Sequence, residues 1–157
     1  MNKWFFFNIA LLALGTWNVI NKAGEGIPTH IFFGFMGLIF ILFNWTRHAV
    51  FSTIRDSSDR AKKIKYANLS KRILPFHRWI GTTALILILT HATLVIDLFG
   101  FQWQNPKIVS GLLTATVLTA VVTTGWMRRY RPSIKKRMTH LWLGISMFFL
   151  LLLHLLF

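Results

Sequence analysis

Five apolar runs of about 20 residues constrain this chain more than any other feature, because that is the length of helix that crosses a bilayer. They fall roughly at residues 4–20, 29–46, 73–99, 108–126 and 138–157. Of the 157 residues 54% are hydrophobic and only 14% are charged, whereas a soluble domain carries about 25% charged residues. A chain so short of polar surface cannot stay dissolved as a compact domain, and it is too apolar to be disordered. The expectation is an all-α membrane protein, one domain over residues 1–157 with five transmembrane helices. Lys3, an apolar stretch and Ala13-Leu14-Gly15 have the outline of a signal peptide. The first run is read instead as a retained transmembrane helix.

The net charge is +14. In a soluble protein this would point to nucleic acid. Here the charges sit between the apolar runs, so membrane lipid is the expected partner and nucleic acid is not. Nine basic residues lie from Arg47 to Arg78, six from Arg128 to Arg137, and Lys3 joins them on the same side. Lys22 and Lys107 alone fall on the opposite side. The bias of 16 to 2 puts the N-terminus and both basic stretches in the cytoplasm and the C-terminus outside. The expected location is a bacterial cytoplasmic membrane. The polar stretch from Arg47 to Arg72 reads as a solvated, lipid-facing loop, compatible with docking of an acidic electron donor.

There is no cysteine. That removes disulfides, thiolate zinc sites, iron–sulfur clusters and thioether-linked haem. Six histidines remain, all within the apolar runs or at their ends. An ionisable side chain at membrane depth is costly and marks function by default. His77 and His91 are 14 residues apart on the third run, and His140 and His154 are 14 apart on the fifth. Fourteen residues turn a helix through about 1400°, close to four full turns, and advance it about 21 Å. Each pair therefore shares one helix face. The third and fifth helices run in the same direction, so His77 and His140 share one depth and His91 and His154 another.

The likeness extends beyond histidine. His77-Arg78-Trp79-Ile80-Gly81 and His140-Leu141-Trp142-Leu143-Gly144 both fit H-x-W-[IL]-G. Gly81 and Gly144 follow the inner histidine by one turn, where a missing side chain lets a flat macrocycle approach the backbone. Zinc would need three or four donors at one point, and this pattern supplies two per depth. Two neutral imidazoles suit a six-coordinate haem iron, and without cysteine the haem is b-type and non-covalent. The expected cofactors are two haem b: an inner iron on His77 and His140 and an outer iron on His91 and His154. Arg72, Arg78, Arg128 and Arg129 are placed to pair the inner propionates.

These residues resemble the ferric reductase-like transmembrane domain, over roughly residues 30–157. That group includes ferric reductases, NADPH oxidases and the haem subunit of bacterial methionine sulfoxide reductase systems. The resemblance implies a di-haem bundle that carries electrons from a cytoplasmic donor to an acceptor on the outer side. The family usually has six helices, and five are counted here. With no Gly-rich dinucleotide loop or soluble domain in the sequence, the expected donor is a separate flavoprotein or a quinol. The chain would then be an electron-transfer subunit of an oxidoreductase system. Respiratory cytochrome b also uses paired histidines at this spacing, so a quinol-coupled cytochrome b subunit stays open. So does a non-redox haem carrier or assembly protein.

His30 and His48 are 18 residues apart on the second helix, five full turns, and also share a face. No histidine remains to pair them, so they are expected near the haem edges as propionate partners or proton carriers, or as interfacial residues. Trp103 is expected to anchor the interface or cap the outer haem. Asp97 and Glu25 are weak candidates for attracting a cation. The third and fifth helices are expected to clamp the haems, the second and fourth to complete the walls, and the first to be peripheral.

Overall fold

The computed structural model describes residues 3–24 and 26–157. Glu25 lies outside the described residues. Five helices make up the structure: α1 Lys3–Lys22, α2 Thr29–Asp56, α3 Arg60–Phe99, α4 Pro106–Tyr130 and α5 Ile134–Leu156. All five are long and apolar enough to cross a membrane, as a multi-pass membrane protein requires. Much of their apolar surface faces outward, including Phe6, Trp17, Phe76, Ile86 and Phe149. In water that surface would have to be buried; in lipid it is already solvated.

Helix starts follow from capping chemistry. The Asp59 carboxylate accepts the backbone N–H groups of Lys62 and Ala61. Those bonds hold this exposed carboxyl below its ordinary pKa range. Asn105 caps α4 through Lys107 and Ile108, with Pro106 at the first helical position, and Ser133 caps α5 through Lys136. Gly100, at φ +70°, ends α3.

The helices depart from the apolar runs in one respect. The polar stretch Arg47–Arg72 is not a loop. α2 continues to Asp56 and α3 begins at Arg60, leaving only residues 57–59 between them. Lys, Arg and Ala are strong helix formers, whereas hydropathy detects only the part that sits in hydrocarbon. α3 has 40 residues and is therefore about 60 Å long.

In sequence order the helices close a ring. α1 packs on α2, α2 on α3, α3 on α4, α4 on α5, and α5 returns to α1. The first helix is thus not peripheral. Leu11 and Asn8 are buried, and the Asn18 amide donates to the Leu155 carbonyl of α5 at 2.8 Å. Among the described residues, no Cα of α3 comes within 8 Å of a Cα of α5. The histidine helices therefore face each other across the ring without touching through their backbones.

The middle of the ring is buried and apolar. Ala84 on α3 and Met147 on α5 are both buried, each seven residues from either histidine of its helix. Trp45 of α2 stacks on Phe148 of α5 with ring centroids 5.0 Å apart. Leu11, Leu38, Leu118 and Leu151 complete this layer. It separates two histidine layers, one toward the basic end and one toward the opposite end.

Candidate functional site

The two depth pairs expected from the 14-residue spacing come together in the structure. The His77 and His140 ring centroids are 6.4 Å apart, with planes crossed at 80°. Those of His91 and His154 are also 6.4 Å apart, crossed at 75°. All four rings are partly buried.

Each ring is held by its Nδ1. His91 Nδ1 donates to the His30 carbonyl at 2.7 Å, and His154 Nδ1 to the Lys107 carbonyl at 3.1 Å. His140 Nδ1 meets the Val121 carbonyl at 3.0 Å and Thr124 Oγ1 at 3.1 Å. His77 Nδ1 meets Asn44 Oδ1 at 3.0 Å, while Asn44 Nδ2 donates to the His77 carbonyl at 3.1 Å. A carbonyl oxygen can only accept, so in the neutral ring the proton sits on Nδ1 and the lone pair on Nε2. Among the described residues, no Nε2 of the four has a hydrogen-bond partner. Fixing one ring nitrogen to an oxygen so that the other can bind a metal is the usual outer shell of a histidine ligand.

The holding helices are α2 for both histidines of α3 and α4 for both histidines of α5. Three of the four contacts use one device. The accepting carbonyl belongs to His30, Lys107 or Val121, and four residues later stand Gly34, Gly111 and Gly125. A Cβ on Gly34 would lie 2.9 Å from His91 Nδ1, and one on Gly111 2.9 Å from His154 Cε1. A Cβ on Gly125 would lie 3.4 Å from His140 Cε1. Each glycine clears the notch through which an imidazole reaches the carbonyl one turn back. The fourth contact breaks the pattern: the Asn44 side chain reaches across instead, and Gly81 of α3 leaves room for its amide, 3.1 Å from where a Cβ would stand.

Sequence reasoning passed over Gly34, Gly111, Gly125 and Asn44. One signal was present. Gly111 and Gly125 are 14 residues apart, the interval of His140 and His154 on the antiparallel neighbour. The two glycines singled out from the sequence each face a side chain of α2. Gly81 receives Asn44, and Gly144 faces the edge of Trp45, whose nearest ring atom is 3.3 Å from an ideal Cβ.

At the basic end, Arg78 directly follows His77, and Arg47 stands three residues from Asn44, which anchors His77. Arg78 and Arg128 are partly buried, whereas Arg72 and Arg129 are exposed. Arg47 joins the group unanticipated. The Nε atoms of Arg47 and Arg78 are buried with no hydrogen-bond partner. Trp103 is 75% exposed, which suits an interfacial anchor, and Asp97 is exposed. His48 stacks on Trp45 at 4.9 Å, and His30 contributes its carbonyl to His91 while its ring meets Phe99 at 5.5 Å.

Among the described residues, no three His, Asp or Glu side chains converge as a metal-binding group. A site built of protein donors alone is therefore absent there, and what remains is two imidazoles per depth. That donor set fits a metal whose other ligands come from a macrocycle. The buried, unpartnered N–H groups of Arg47 and Arg78 fit the carboxylates such a macrocycle carries. The four histidines and the arginines beside His77 thus fit two b haems. Comparison of the chain with family models, with curated proteins and with solved structures returns no match.

Proposed function

We propose that this chain is a di-haem b membrane cytochrome that carries electrons between the two sides of a bilayer. One observation carries the reading: at two depths a pair of imidazoles faces across the ring at 6.4 Å with every Nδ1 anchored. A six-coordinate haem supplies reversible one-electron chemistry. His77 and His140 would hold one, and His91 and His154 the other. The anchored Nδ1 atoms orient the rings and raise their basicity. The apolar layer of Trp45, Ala84, Met147 and Phe148 lies between the two depths. The closing test is a reduced-minus-oxidised spectrum with a pyridine haemochrome assay on protein from haem-replete cells. About two low-spin haems per chain are expected; fewer than about one refutes the reading.

The basic end is proposed to face the cytoplasm, with a flavoprotein or quinol as donor there and an acceptor on the outer side. The absence of cysteine makes the topology easy to read. Lys62→Cys should label from the cytoplasmic side alone and Trp103→Cys from the outside alone. Labelling of Lys62→Cys in intact cells would reverse the orientation.

Asn44 provides a further check. It is the single side-chain amide among the four anchors; the others rely on backbone carbonyls. Asn44→Asp should make the acceptor stronger, raise the basicity of His77 and lower the midpoint potential of the inner haem alone. Asn44→Leu should raise it and broaden the inner-haem spectrum. Potentiometric titration of both variants distinguishes this from a purely structural role, which would shift the two in the same direction.

A further inference from the structure

A cavity of about 120 Å³ opens beside the outer histidine pair, lined by His91, His154, Gly34, Leu38, Lys22 and Lys107 among others. Apart from the lysines, Asn18 and the two imidazoles its walls are aliphatic, aromatic or glycine. Lys22 ends α1 and Lys107 begins α4, two helices that are not neighbours in the ring. They are also the two basic residues of the end opposite the basic stretches. Both line one cavity, Lys107 half-buried and Lys22 exposed at its mouth. Among the described residues neither has an ion-pair partner. The Lys107 ammonium has one weak bond, 3.4 Å to the His154 carbonyl.

Two like charges at the mouth of an apolar cavity favour an anion between them, most of all at the half-buried Lys107. His91 and His154 line the same cavity as the two lysines, so an anionic group held by the lysines would belong to a ligand whose apolar body lies against those imidazoles. We propose that Lys22 and Lys107 bind the carboxylates of the outer haem and so fix which way its propionates point. The inference rests on the di-haem reading and adds to it the orientation and retention of one haem. The lysines bind and position; the imidazoles of His91 and His154 remain the iron ligands.

The test compares the wild type, a Lys22→Gln/Lys107→Gln double variant and a Lys22→Arg/Lys107→Arg double variant, each purified in detergent. Haem transfer to excess apomyoglobin is followed by absorbance. The same measurement in a His77→Ala background isolates the outer site. Losing two charge-assisted pairs should speed haem loss from the outer site about tenfold or more, leave the inner site unchanged, and flatten the pH dependence of the outer midpoint potential. The arginine variant should restore slow release. Unchanged release from the outer site would overturn the inference while leaving the di-haem reading intact. Equal acceleration at both sites would also overturn it, because the lysines would then act on folding. Unchanged haem release with impaired reduction of an anionic acceptor would assign the lysines to that acceptor and overturn the inference in the same way. A wild type that holds no haem overturns both.

Discussion

Replacing His77 or His140 by alanine should remove one haem and leave the other. Haem content is expected to fall from about two per chain to about one, with loss of a single spectral component. His91→Ala and His154→Ala should remove the complementary component. The physical reason is the geometry of the pairs. Two imidazoles would hold each iron, and among the described residues no third His, Asp or Glu gathers with them to replace one that is lost. Alanine also leaves a void the size of the imidazole. Added imidazole should enter it and restore the low-spin spectrum, an outcome that misfolding would not permit. If His77→Ala and His91→Ala lost the same component, the pairing by depth would be wrong.

Filling the glycine notches should have effects nearly as large with every ligand still present. Gly111→Val puts a branched side chain where even a Cβ would stand 2.9 Å from His154 Cε1, and Gly34→Val does the same to His91. The ring must leave its carbonyl or the helices must part, at a cost of about 1–3 kcal/mol. Both variants should lose the outer haem and keep the inner one. Gly125→Ala should be tolerated, because its Cβ would meet His140 at an ordinary 3.4 Å. Gly125→Val should not. Gly26→Val is the control, since nothing lies within 4 Å of its Cβ. Haem per chain and size-exclusion profile together decide the matter. Retention of the outer haem in Gly111→Val would mean that the notch is incidental.

These two experiments probe different levels of what was legible. The four histidines, their two faces and their two depths follow from rise and twist alone. Those are set within one helix by local hydrogen bonds, so a spacing of 14 residues predicts the same geometry whatever surrounds it. The five spans follow from the thickness of a bilayer, which is equally indifferent to packing. The pairing of His77 with His140 needed one further step, the common direction of two helices separated by a third, and that too is a property of the chain order.

The partners of those histidines were a different matter. Nothing local says that α2 braces α3 and α4 braces α5, that α1 closes the ring, or that Asn44 replaces a backbone carbonyl at one of four positions. Those contacts join residues 33, 61 and 137 positions apart. They depend on which helix faces which, and that is decided by how small and large side chains interlock across the whole bundle. Hydropathy was equally blind to the polar ends of α2 and α3, because it measures affinity for hydrocarbon and not the propensity to coil. The number of helices long and apolar enough to cross a membrane, and the places of the imidazoles along them, were legible in the order of the residues. What holds each imidazole still was not, because hydrogen bonds between helices and the glycine notches that admit them exist only once the helices have met.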